Sequence, residues 1–140
     1  MTTWINPYLD FPGTCREAFE FYADVFGGKL DVLTAAEMGV PEIAPERIMH
    51  AHLETADGWT IMGADCDEGS EEDSSGLVSR CTLTIGGVDA DLPKAQQWFA
   101  QLAAGGQALM DLAPQMWGST YGQVRDKYGV TWAFNIGGEE

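Results

Sequence analysis

Two stretches of this chain carry the same helical pattern 77 residues apart, and this repeat constrains the fold more than any other feature. In the first stretch, Thr14-Cys15-Arg16-Glu17 reads as a capping box, with Thr14 capping a helix and Glu17 reaching back. Apolar residues then fall at Ala18, Phe21, Tyr22, Val25 and Phe26, the spacing of one helix face. Gly27 and Gly28 end that helix, because glycine accepts the left-handed backbone of a helix exit. In the second stretch Asp91 is the expected N-cap, and Pro93 suits a first turn. Ala95, Trp98, Phe99, Leu102 and Ala103 repeat the spacing, and Gly105-Gly106 closes it.

Each helix follows one strand-like run and precedes three more. Ile5–Phe11 comes first; Lys29–Glu37, Ile48–Thr55 and Trp59–Ala64 follow the first helix. Ser79–Ile85 comes before the second helix, and Gln107–Leu112, Thr120–Arg125 and Thr131–Ile136 follow it. Linkers agree: Met38–Glu46 holds Gly39, Pro41 and Pro45, and Asp126-Lys127-Tyr128-Gly129 reads as a hairpin turn. The predicted fold class is α+β, as two tandem β-α-β-β-β modules at about 1–66 and 77–140, with an acidic linker at about 67–76. Neither half can bury both faces of a four-stranded sheet alone, so the halves are expected to form one domain. Strand alternation assigns the faces. Met49, Ala51 and Leu53 share one side, and His50, His52 and Glu54 the other. Likewise Trp132, Phe134 and Ile136 oppose Thr131, Ala133 and Asn135. The apolar sides should lie under the helices, leaving the mixed sides toward solvent or a concave interior.

Charge narrows the partners. The formal net charge is −15 with only seven Lys plus Arg, so the clustered cations that a phosphate backbone or an anionic membrane surface requires are missing. Neither nucleic acid nor membrane is expected as a partner. The beginning Met1-Thr2-Thr3-Trp4 has no basic n-region and no apolar h-region, so a cytoplasmic location is expected. Cys15, Cys66 and Cys81 are three cysteines without CxxC spacing, read as reduced thiols. The run Asp65–Asp73 holds six carboxylates in nine residues, lacks the EF-hand spacing, and is expected to be a solvated, mobile loop. No G-x-G-x-x-G, Walker A or G-x-S-x-G sequence occurs, so nucleotide enzymes and serine hydrolases are poorly supported.

The duplicated plan resembles the vicinal oxygen chelate superfamily, which includes glyoxalases, dioxygenases and bleomycin-resistance proteins. Particular segments resemble its PhnB-like branch. These are Asn6-Pro7-Tyr8-Leu9-Asp10-Phe11, Glu17–Tyr22 running to Phe26-Gly27-Gly28, Met49-His50-Ala51, and Ile61-Met62-Gly63-Ala64-Asp65. Trp117-Gly118-Ser119-Thr120-Tyr121-Gly122, followed by Asp126–Trp132, resembles its closing hairpin. The resemblance implies a curled, cup-like mixed sheet with helices outside and a small molecule held between the modules. It also implies a homodimer, as superfamily members commonly pair.

Metal-dependent relatives hold a divalent ion through His, Gln or Glu from both halves. The implied slots fall here around Asn6, Pro7 or Tyr8, near Arg80, and at Ala133. Proline and alanine have no side-chain ligand, and Arg80 repels a cation. His50, His52 and Glu54 remain as a cluster on one strand, which makes a weak site without a third ligand fixed elsewhere. The reading is therefore a metal-free binder of a small organic molecule, with no cofactor and with His50, Trp117, Tyr121 and Asn135 lining the ligand. A metal-dependent glyoxalase- or dioxygenase-type enzyme is the alternative, and a dimeric interaction module without a ligand is a third reading. No glycine-rich adenosylmethionine loop follows the first strand, so methyltransfer to a quinone precursor is not expected. Cys15 opens a helix, a position that can lower a thiol pKa. Asp126 is expected to cap its turn through an Asx hydrogen bond.

Overall fold

The computed structural model describes residues 3, 5–42, 44–65 and 82–137. The acidic run beyond Asp65, together with Cys66, Arg80 and Cys81, lies outside them. The chain divides into two compact units, Met1–Ser75 and Gly76–Glu140.

In the first unit the order is β1 (Tyr8–Phe11), α1 (Cys15–Phe26), β2 (Lys29–Thr34), α2 (Ala35–Met38), β3 (Ile48–Glu54) and β4 (Thr60–Asp65). In the second, β5 (Thr82–Gly87) and a 3-10 turn at Asp89–Asp91 precede α3 (Leu92–Ala103), β6 (Gln107–Pro114), β7 (Ser119–Arg125) and β8 (Thr131–Gly137). The sheets have strand orders β1-β4-β3-β2 and β5-β8-β7-β6. In each, the first strand runs parallel to the last, and the other neighbours are antiparallel. The α+β class and the duplicated β-α-β-β-β order expected from sequence are therefore present in both units.

Each long helix covers one face of its own sheet: α1 lies on β2, β3 and β4, and α3 on β6, β7 and β8. Phe11, Phe19, Tyr22, Leu53 and Ile61 fill the first core, and Leu102, Val124, Trp132 and Phe134 the second. Burying one such side chain contributes about 1.5–3 kcal/mol. Edge-on aromatic contacts order the first core, with Phe19 5.7 Å from Tyr22 and 6.0 Å from Phe11. Phe19 was absent from the expected helix face. It replaces Phe21, which is only half-buried, because the face of α1 that meets the sheet is rotated toward Cys15 and Phe19.

Helix ends differ in detail. The Thr14 side chain makes no cap hydrogen bond. Instead Asp65 Oδ1 accepts from Cys15 N at 2.9 Å, and Asp65 Oδ2 accepts from Ile48 N at 2.9 Å. A carboxylate at the end of β4 thus does the capping, which favours the positive end of α1. Asp65 belongs to the sheet, paired with Phe11, rather than to the acidic loop. Asp91 likewise makes no cap for α3; its Oδ2 accepts from Val88 N and closes the 3-10 turn. Strand β2 ends at Thr34, three residues before the expected Glu37, because Thr34-Ala35-Ala36-Glu37 forms a capping box and starts α2. Strand β1 begins at Tyr8, later than the expected Ile5, which is 94% exposed.

The repeat extends into the turns. Thr55-Ala56-Asp57-Gly58 and Asp126-Lys127-Tyr128-Gly129 close with the same backbone bonds, from Gly58 N to Thr55 O at 2.9 Å and from Gly129 N to Asp126 O at 3.1 Å. Gly28 and Gly106 leave the two helices against these turns. A Cβ on Gly28 would collide with the Glu54 carbonyl, and one on Gly106 with the Arg125 carbonyl.

Candidate functional site

Each sheet carries its own helix on one face and turns a mixed set of side chains to the other, and the strand registers decide which of them meet. On β7 every second residue from Tyr121 faces this way: Tyr121, Gln123 and Arg125. Tyr121 stands opposite Asn135 of β8, and Gln123 opposite Ala133. Gln123 Nε2 donates to the Tyr121 hydroxyl at 2.9 Å. Trp117 meets the Tyr121 ring edge-on, centroids 6.1 Å apart. Three of the four expected ligand residues, Trp117, Tyr121 and Asn135, therefore gather on the helix-free side of the second sheet.

The turn before β7 fixes Trp117. Gln115 N donates to Ser119 O at 2.8 Å, Gly118 N donates to Gln115 O at 3.0 Å, and the Gln115 amide donates to Ala113 O at 3.0 Å. Trp117 is 60% exposed and Asn135 is exposed too, so an indole face and an amide remain open to a ligand. Opposite them in chemistry is Ala133, which has no exposed surface although it shares the helix-free side.

His50 lies on the corresponding side of the first sheet. It stands opposite Leu33 of β2, and His52 stands opposite Asp31 and Met62. The Tyr8 hydroxyl and His50 Nδ1 are 3.3 Å apart, and the two rings lie 5.8 Å apart. The His52 ring is 6.5 Å from that of His50. Partial burial, followed by the Asp10 and Cys15 charges, raises the Tyr8 phenol above its ordinary value, so it keeps its proton. Sequence reasoning left Tyr8 among metal slots and missed Gln123. The alternation of β7 and the β1–β4–β3 registers are the signals that place both.

The chemistry of the donor set tests the divalent ion that the resemblance implies. Ala133 and Pro7 offer no ligand atom, and His50 Nδ1 already faces the Tyr8 hydroxyl. Among the described residues, no three His, Cys, Asp or Glu side chains converge. These residues do not fit a specific divalent-metal site.

Two further candidates resolve into structural roles. Cys15 has no exposed surface, and burial, followed by the Asp65 carboxylate, pushes its thiol up to about 12. This reverses the expectation from its place at a helix start, because the effect of the helix end is outweighed. Asp126 is 3% exposed and accepts from Tyr128 N at 2.9 Å, as an Asx turn requires. It also accepts from Val130 N at 3.1 Å and from the Trp132 indole at 2.8 Å, anchoring the core.

Among the described residues no helix is long and apolar enough to cross a membrane. The chain is 29% identical to Protein YjdN of Escherichia coli (strain K12) over 148 aligned positions, covering 94% of each. It superposes on protein PA1353 from Pseudomonas aeruginosa with a TM-score of 0.79 at 30% identity, covering 99% of this chain and all of that one (100%). A Bacillus cereus PhnB protein, described as a putative 3-demethylubiquinone-9 3-methyltransferase, matches in fold with a TM-score of 0.72 at 23% identity, covering 96% and 99% of the two chains. The profile of the Glyoxalase/Bleomycin resistance protein/Dioxygenase superfamily matches residues 4–134, and the chain belongs to that superfamily.

Proposed function

We propose that this protein binds a small organic molecule without a metal, using the helix-free faces of its sheets. The observation that carries this reading is the gathering of Trp117, Tyr121, Gln123 and Asn135 on the second sheet. An open indole and a phenol edge supply broad contact at low entropic cost. The Asn135 amide donates and accepts, and so orients a polar group. Within the first sheet, the Tyr8–His50 pair offers a polar group of its own. A fixed metal as Lewis acid finds no support in the donor set, since Ala133 takes the position where the resemblance expects an acid. Binding with aromatic walls and few polar anchors is a common pattern for small-molecule sites.

Native mass spectrometry of freshly purified protein tests this directly, because it reports bound ligand, bound metal and subunit number together. An organic mass retained without stoichiometric metal is expected. Stoichiometric zinc, nickel or iron, with an activity lost to a chelator, would restore the enzyme reading. The variant His50→Ala separates ligand contact from structure. Tyr8 is 49% exposed, so water can replace the lost hydrogen bond. The variant should lose less than about 1 kcal/mol of stability, and ligand affinity should fall. A large drop in melting temperature with unchanged affinity would assign His50 to the framework instead.

A further inference from the structure

Beyond Gln123, the row of side chains that β7 presents on the helix-free face of the second sheet ends on a cation. Arg125 stands four residues from Tyr121, about 13 Å along the strand. Its cross-strand neighbours are Gln107 and Thr131. None of the residues paired with Tyr121, Gln123 or Arg125 across the four strands is acidic; they are Gln, Met, Ala, Thr, Asn and Gly. A chain with 22 Asp plus Glu against seven Lys plus Arg thus keeps these rows free of carboxylates where it places an arginine. The adjacent Asp126 serves the other face, where its oxygens accept from Tyr128 N, Val130 N and the Trp132 indole. Among the described residues the Arg125 guanidinium has no ion pair and no hydrogen-bond acceptor. Its Nε is buried, so the open end is the pair of Nη groups. A half-buried guanidinium without an acceptor is unfavourable, and an anion at the Nη groups offsets this.

We infer that the small molecule is an organic acid, with a flat apolar body on Trp117 and Tyr121 and an anionic group paired with Arg125. The inference rests on the binding reading above and adds the chemical class of the ligand. Two parallel Nη–H bonds suit a carboxylate, and the planar fork fixes its orientation. Gln123 lies between the two ends with its amide turned to the Tyr121 hydroxyl, so the middle of the ligand meets a neutral polar surface. The net charge of −15 repels an acid from the molecule as a whole, so Arg125 selects at contact distance rather than steering from afar. The competing role for Arg125 is packing, in which its aliphatic stem covers the sheet and water alone solvates the Nη groups.

Calorimetric titration of the full chain with biphenyl-4-carboxylic acid and 2-naphthoic acid, each against its neutral primary amide, distinguishes these roles. Each acid should bind at least about tenfold tighter than its amide, the advantage of a charge-assisted pair over a neutral one. Arg125→Gln should bring the acids down to the affinity of the amides and leave the amides as they were. Lys94→Gln removes an equal charge on α3 and should change neither. Trp117→Ala should weaken acid and amide alike. Equal binding of acid and amide, both dependent on Trp117, overturns the inference and leaves the binding reading standing. Absence of saturable heat from all four probes, or binding that ignores Trp117→Ala, overturns the inference together with the reading it rests on. In the wild-type protein the Arg125 Nε–H resonance should shift with the acids and stay in place with the amides, which keeps the test valid should Arg125→Gln fail to fold.

Discussion

At Cys15 the position in the helix and the position in the core pull the thiol in opposite directions, and the core wins. Burial is the larger cause and the Asp65 carboxylate the next, together lifting it from 9.0 to about 12. The unfolded chain therefore releases this proton between pH 9 and 12 while the folded chain retains it. The stabilisation from this group is complete below the unfolded value and is lost as pH rises through the folded one. Urea midpoints measured from pH 7 to 11 should fall above about pH 9. The variant Cys15→Ala should start lower and fall less steeply, and parallel alkaline limbs would assign the loss to other groups. Asp126 is the complementary case, a buried carboxylate held by three donors. Asp126→Ala leaves the Trp132 indole and two backbone N–H groups without their acceptor. It should cost about 3 kcal/mol or more, with Asp126→Asn intermediate; a thermal melt followed by tryptophan fluorescence reads the difference.

At the scale of elements, the second glycine of each pair at the helix exits meets main chain, where the first meets only a side chain. Gly28 has φ of +112°, and a Cβ there would strike the Glu54 carbonyl. Gly58 has φ of +99° but opens onto empty space. Gly58→Ala should therefore cost about 1 kcal/mol of backbone strain alone, and Gly28→Ala clearly more in chemical denaturation. Equal losses would mean that the helix exit moves aside. This pair also explains which parts of the fold were legible. The helices and their exits were readable because 3.6-residue periodicity and paired glycines are local signals. The capping box was misplaced because T-x-x-E occurs at both Thr14 and Thr34, and only tertiary structure decides between them. Asp65, distant in sequence, supplies the acceptor at α1, so Thr14 is not needed; at α2 no such carboxylate intervenes. The side-chain pairings among the candidate residues were half legible for the same reason. Trp117 and Tyr121 are four residues apart and visible together, whereas Tyr8 and His50 meet only through the β1–β4–β3 register.

At the scale of the whole molecule, charge and open edges oppose each other. Each sheet ends in two edge strands, β1 and β2 in one unit and β5 and β6 in the other. Strand β6 is exposed over most of its length, with Leu109 39% and Met110 38% exposed, and its ladder is interrupted by two register shifts. Such edges are normally covered or protected, and bulges are one form of protection. The apolar side chains remaining on β6, with Ile5 at the other end of the chain, motivate our proposal of a homodimer. Two copies of a chain of charge −15 repel each other at long range. Raising ionic strength from about 0.01 M to 0.15 M shortens the screening length from roughly 30 Å to 8 Å, removing most of that repulsion while leaving short-range apolar contact intact. Light scattering at micromolar concentration should therefore give a mass approaching twice 15.2 kDa, with the dimeric fraction rising over this salt range. A mass of 15.2 kDa at every salt concentration would show that the edges are protected within one chain, and association that weakens with salt would show that ion pairs hold the copies together.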